Sequence, residues 1–422
     1  MENFFMSQEE VKTKNYITAT YFIQLASDAD IVSKAKKIAM GQTLGTWVKV
    51  PGITDEMQRL YMGKVVNITE TPPLELSTQI SGESRSYLIQ IAYPDVNSGP
   101  DFPMLLTILL GNDASTSAQM KLVDIQFSEH LTAHFHGPKY GIDGIRSLTG
   151  TSHTEPLLLN MIKPCTGITP EIGARIFYET ALGGIDFIKD DELLSDPDFC
   201  RAANRVKAYN KASIAAYEKS GKKTIYVCNI TSAVPKITDT LKAVLDAGAK
   251  AVMMCFSTVG YSTFQYISES CDALILGHYA GSGASNEGLM SGLSSHLSVG
   301  KFPRMAGADM VMMNTPYGGY PLTSLQYHKT MQQLTLPNYN LKPSMPICGG
   351  GVHPGLVPQF ISDFGTDIIL AAGGAVQGHP LGSAAGVKSM RQAIDASLNN
   401  IPLEEYAQNH QELQIALNKF AR

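Results

Sequence analysis

Apolar residues along this chain follow two different rhythms. Up to about residue 136 they alternate with polar residues or recur at helical spacing. Tyr16–Leu25 and Ser86–Tyr93 read as strands and Asp28–Met40 as an amphipathic helix, while Met104–Leu110 fits either state. Turn-rich stretches such as ProAspValAsnSerGlyPro (94–100) separate these pieces. Strands and helices mixed on one short segment predict an α+β sandwich over residues 1–136.

From GlyProLysTyrGly (137–141) onward the rhythm becomes regular. Short apolar, β-branched runs recur at Pro156–Lys163, Ile185–Lys189, Thr224–Ile230 and Ala251–Ser257. Four more follow at Ala273–His278, Met310–Asn314, Met345–Gly351 and Asp367–Gly374. Each is followed by a helical stretch, and each is apolar on both faces, as strands buried on both sides must be. Eight such units predict a parallel (β/α)8 TIM barrel over residues 137–422, preceded by the smaller α+β domain. ThrProGluIle (169–172) carries a helix cap and proline, and AspAlaGly (246–248) a glycine stop. From Pro380 the chain reads as helices packed on the barrel exterior.

Composition narrows the function classes. With 44% hydrophobic and 17% charged residues in 422, the chain can bury large cores and is not of disordered type. A net charge of -5 argues against general nucleic-acid binding, and no apolar run nears the ~20 residues that span a bilayer. The polar start (residues 1–15) lacks the basic and apolar regions of a secretory signal. Six cysteines (165, 200, 228, 255, 271, 348) show no paired spacing, as free thiols in a reducing compartment would. A cytoplasmic protein is expected.

In a barrel, chemistry belongs at the C-terminal ends of the strands. There the runs end in Lys163, in LysAspAspGlu (189–192), in His278, in GlyGlyGlyValHis (349–353) and in GlyGly (373–374). Alternation turns Lys189 and Asp191 toward the mouth, with Glu192 just beyond. Two carboxylates suit a hard cation such as Mg2+, and Lys189 could join them as a carbamate after taking up CO2; an ordinary solvated charge cluster is the competing reading. The glycines of runs seven and eight are either tight turns or a backbone cradle for a phosphate. Lys163 is either a surface lysine or a proton carrier whose pKa a nearby cation would lower. His278 fits a structural or a proton-handling role, His353 and His379 read as loop architecture, and Cys165 as a packed thiol.

Together these motifs resemble the RuBisCO large-subunit family. GlyGlyIleAspPheIleLysAspAspGlu (183–192), preceded by MetIleLysProCysThrGlyIleThrPro (161–170), carries the likeness. GlyProLysTyrGlyIleAspGlyIleArg (137–146) and AlaGlyGlyAlaValGlnGlyHisProLeuGly (372–382) extend it over nearly the whole chain. The resemblance implies a homodimer with the active site at its interface, carbamylated Lys189 with Asp191 and Glu192 on Mg2+, and Lys163 beside the enolising carbon. It also implies His278 as an active-site histidine, Gly351, Gly373 and Gly374 as phosphate donors, and Asn112 reaching across the dimer.

The departures point away from carboxylation. Cys165 stands where the family has a second lysine, Tyr279 where it has an arginine and Met312 where it has a histidine, and the mobile-loop lysine falls near Gly319. A second phosphate would lack partners, so a monophosphate with an uncharged far end, lined by Tyr279, Met312 and Met313, fits better. AsnThrProTyrGlyGly (314–319) and GlyGlyValHisProGlyLeuValPro (350–358) look like the methionine-salvage branch. Its members enolise 2,3-diketo-5-methylthiopentyl-1-phosphate, but with a base lysine where this chain has Asn112, which cannot accept a proton. Methylthioribulose-phosphate isomerase, 3-oxo-sugar-acid-phosphate decarboxylase and a non-catalytic binding or regulatory protein are the alternatives.

Overall fold

The computed structural model describes residues 4–46, 48, 50–116 and 119–420. The chain divides into two compact units. The first comprises Met1–Phe135, Gly281–Ser298 and Tyr339–Leu341; the second comprises His136–Ala280, Val299–Asn338 and Lys342–Arg422.

The first unit is built on a five-stranded sheet, in the order Gly292–Leu293, Lys121–Gln126, Tyr16–Ala26, Ser84–Pro94, Lys64–Thr71. Alternation decides its central strand: Ile17, Ala19, Tyr21 and Ile23 are all buried, on one face of the pleat. That strand pairs antiparallel with Ser84–Pro94, Tyr16 opposite Pro94. The helix Ile31–Gly41 starts where Asp30 caps it and buries Ala35, Ile38 and Ala39. The ambiguous run around Met104–Leu110 is helical, over Phe102–Leu110. The deciding signals lie just upstream: Asp101 Oδ1 accepts from the Met104 amide at 3.0 Å, and Pro103 sits in the first turn. Gly281–Ser298, which lies in sequence between the fifth and sixth barrel strands, supplies the short strand Gly292–Leu293, parallel to Lys121–Leu122.

The second unit is a closed barrel of eight parallel strands. In order around the barrel they are Leu157–Met161, Phe187–Lys189, Ile225–Asn229, Ala251–Cys255, Leu274–His278, Met310–Asn314, Met345–Gly349 and Ile369–Ala371. Each lies within one of the eight apolar runs. Every second residue fills the interior: Leu157 and Leu159, Phe187, Ile225 and Val227, and likewise around to Ile369 and Ala371. The intervening residues face the surrounding helices, which is why the runs are apolar throughout. The helix after the first strand, Pro170–Ala181, begins where Thr169 Oγ1 caps the Ile172 amide at 3.3 Å. After the last strand come Ser383–Leu398, Leu403–Tyr406 and Gln411–Phe420. No helix among the described residues is long and apolar enough to cross a membrane.

GlyProLysTyrGlyIleAspGlyIleArg lies at the N-terminal end of this barrel. Asp309, just before the sixth strand, accepts the amides of Tyr140 (2.7 Å), Gly141 (3.1 Å) and Ile275 (3.0 Å). Arg146 donates to the carbonyls of Glu155 and Thr366 and pairs with Asp367. That signature segment is architecture.

Candidate active site

Extending the interior alternation one step toward the C-terminal end gives the last layer of inward-facing residues. It holds Met161, Lys189, Asn229, Cys255, His278, Asn314, Gly349 and Gly373. Lys189 is fully buried. Its Nζ donates to the Asp190 carbonyl at 3.0 Å and lies 3.8 Å from Glu192 Oε2. Burial pulls its pKa below the usual lysine value, against the attraction of Glu192 and Asp191.

Asp191 follows the strand end and is buried; Glu192 is partly exposed. Lys163, exposed at the end of the first run, donates to Asp191 Oδ2 at 2.6 Å and lies 3.0 Å from Cys165 Sγ. Paired with Asp191, Lys163 does not have the lowered pKa expected of it next to a bound metal. Burial does act downward, but the hydrogen bonds to Asp191 and Cys165 outweigh it and hold the ammonium above its ordinary value. The same bond, against a burial penalty, keeps the Asp191 carboxyl below the ordinary range. Cys165 is only half-buried, and a cation sits beside its sulfur.

His278 is buried, and burial pushes its pKa well below the ordinary imidazole value, so the ring is neutral. Its Nδ1 accepts from the Ala280 amide at 3.1 Å, which assigns the ring hydrogen to Nε2, 3.5 Å from Glu192 Oε2. Tyr279 stacks on the His278 ring with centroids 5.1 Å apart, and burial raises its phenol to about 12. Lys163, Lys189, Asp191, Glu192, His278 and Tyr279 therefore form one connected cluster.

Met312 is buried in the barrel interior, and a Cβ on Gly349 would come 2.4 Å from its terminal carbon. Met313, expected to line the substrate end beside it, is the out-facing neighbour and packs among the helices instead. Gly351 has φ +82°, which a side chain would strain, and a Cβ on Gly373 would lie 2.9 Å from Met161 Sδ. Gly374 opens the turn of helix Gly374–Gln377. Asn112 is exposed and begins the four-residue helix Asn112–Ser115 of the first unit. His379 is architectural: its Nδ1 accepts from Leu381 and its Nε2 lies 3.0 Å from the Glu412 carbonyl.

Among the described residues no group of three or more His, Cys, Asp or Glu side chains stands ready for a metal ion. The mouth offers two carboxylates and a buried amine. Asp190 and Asn229 were not singled out from sequence. Asn229 is the one polar residue near the end of the apolar run Thr224–Ile230, a signal close to the one that marks Lys163 and His278.

The fold and this cluster can be set beside known proteins. The family model described as the ribulose bisphosphate carboxylase large chain, catalytic domain, matches residues 142–420, and its N-terminal domain model matches residues 5–131. The chain belongs to the ribulose bisphosphate carboxylase large-chain family. Within the family it is of the RuBisCO-like kind: it is 36% identical over 414 residues to a ribulose bisphosphate carboxylase-like protein of Archaeoglobus fulgidus, covering 97% of this chain and 94% of that one. It is 35% identical over 392 residues to a 2,3-diketo-5-methylthiopentyl-1-phosphate enolase of Bacillus anthracis, covering 92% and 94%. Among solved structures, a rubisco-like protein of Alicyclobacillus acidocaldarius superposes with a TM-score of 0.88 at 30% identity, covering 96% of this chain and 100% of that one. An octameric Rubisco of Pyrococcus horikoshii gives 0.87 at 28%, covering 96% and 94%.

Proposed function

We propose that this chain is a non-carboxylating RuBisCO-like enzyme that enolises a phosphorylated ketone, with a diketo monophosphate of the 2,3-diketo-5-methylthiopentyl-1-phosphate type as substrate. The observation that carries this reading is the buried amine of Lys189, with a depressed pKa, set among Asp191, Glu192 and His278. A lysine whose charged form is disfavoured yields the neutral amine, a nucleophile toward CO2, more readily, and its carbamate would complete an oxygen donor set with Asp191 and Glu192. That set fits Mg2+, which when bound polarises a substrate carbonyl and stabilises developing enolate charge by several kcal/mol.

The remaining steps fall to side chains. With Asp191 engaged as a ligand, Lys163 loses its counter-ion, its pKa falls, and its amine can take the proton from the carbon beside the carbonyl. Neutral His278 offers Nε2–H to an oxygen at the mouth. Backbone amides at Gly351, Gly373 and Gly374 orient one phosphate, so that binding holds the acidic C–H near its base. Tyr279 gives the other end of the pocket no cation, which disfavours a bisphosphate. In a homodimer, Asn112 would serve the neighbouring protomer's pocket as a hydrogen-bonding group, since it cannot be the base.

Solvent-deuterium exchange at the acidic carbon of the diketo monophosphate tests this. Exchange is expected only when Mg2+ and bicarbonate are both supplied, with general acid–base help of about 10²–10⁴-fold lost in Lys163→Met. Exchange indifferent to Mg2+ would sink the scheme.

A further inference from the structure

Asn229, the last residue of the third barrel strand, is fully buried, and every polar atom of its amide is engaged. Oδ1 accepts from the Thr231 amide at 3.0 Å, which fixes the end of the side chain that carries the hydrogens. Nδ2 therefore faces the loop after the second strand. There it donates to the main-chain carbonyls of Asp191 at 3.3 Å and Glu192 at 3.2 Å. The Asn229 main-chain amide donates to Asp190 Oδ2 at 3.0 Å.

Asp190 anchors the arrangement from behind. Its carboxylate is buried and also accepts from Tyr226 Oη at 2.6 Å and Arg205 Nη2 at 3.0 Å. Arg205, itself fully buried, donates onward to the carbonyls of Ser195 and Cys200. The loop from 190 to 200 is thus tied at its start, along its length and at its end, and Asn229 is the group that grips the two residues bearing the mouth carboxylates.

We infer that Asn229 is a positioning residue for Asp191 and Glu192, holding their main chain so that both carboxylates are presented to one divalent cation. The inference rests on the metal reading above and deepens it. Two consecutive residues at a loop start have free backbone torsions; fixing both carbonyls from a rigid neighbouring strand removes that freedom before a ligand arrives. Loss of such an outer partner typically weakens a metal site by about 10–100-fold.

The test is calorimetric titration of the full chain with Mg2+ in bicarbonate buffer, comparing wild type, Asn229→Ala and Cys228→Ala. Cys228 is the adjacent, equally buried residue; its sulfur meets Arg205 Nη2 at 4.0 Å and the Asn229 carbonyl at 3.9 Å but neither the Asp191 nor the Glu192 carbonyl. Asn229→Ala is expected to bind Mg2+ about 10–100-fold more weakly, and Cys228→Ala as wild type does. Asn229→Leu, which fills the same volume without the two hydrogens, replaces the alanine variant if that one does not fold. Wild-type affinity in the Asn229 variants, or an equal loss in Cys228→Ala, overturns the positioning role alone. A wild-type chain that takes up no Mg2+ overturns the metal reading and this inference with it.

Discussion

At the N-terminal end of the barrel, acids are tied into the frame. Asp186 accepts from the Leu158 amide at 2.7 Å and pairs with Arg391 at 2.5 Å and Lys222 at 3.0 Å. Asp309 holds three backbone amides, and Asp367 holds Arg146 and His153. At the C-terminal end the same residue types are arranged differently. Glu192 is partly open to solvent, Lys163 and Asp191 hold each other across two loops, and the Lys189 amine donates to its neighbour's carbonyl. The contrast separates charges that stabilise the fold from charges kept available at some cost in stability. Burial alone does not distinguish them, since Asp186 and Lys189 are both fully buried. Their partners do.

Removing the acid at the closed end should have the largest effect on stability. Asp186→Ala would leave Arg391 and the Leu158 amide uncompensated, and a loss of about 3–5 kcal/mol is expected in urea unfolding. A loss under about 1 kcal/mol would erase the distinction between the two ends. At the mouth the sign should change. Lys189→Met replaces a desolvated amine with an apolar chain of similar length, and the carboxylate it leaves behind, Glu192, is partly solvated, so stability should hold or rise slightly, while activity is abolished. Thermal melting beside a deuterium-exchange assay reads both at once.

The smallest effect concerns pH. His353, in the loop after the seventh strand, has a buried Nδ1 without a hydrogen-bond partner among the described residues, and burial lowers its pKa. A histidine whose folded pKa is depressed favours the folded state when neutral. Its contribution is therefore present above the ordinary imidazole pKa near ~6.5 and is lost as pH falls below that value. The melting temperature of His353→Asn should fall less steeply than that of wild type on acidification below that point. Parallel curves would assign the acid sensitivity elsewhere.

Local pattern determined a good deal of this protein. Strands buried on both faces must be apolar throughout, so eight such runs with intervening helices spelled out the barrel and its order, and polar residues at the run ends marked the mouth. The LysAspAspGlu run and its family likeness drew attention to Lys189, Asp191 and Glu192 for the same reason: a charge at the end of an apolar strand needs an explanation. What the linear pattern could not supply was partnership across strands. Lys163 and Asp191 are 28 positions apart in the chain, and their 2.6 Å approach helps to raise that ammonium's pKa above its ordinary value. Met312 and Met313 are alike in sequence, but a single step of the pleat sends one inward and the other out. Asn229 gained its grip on the neighbouring loop through the closing of the barrel. Periodicity records how much surface each residue buries; which group it meets depends on strand register and loop path, and those are fixed only when the whole chain packs.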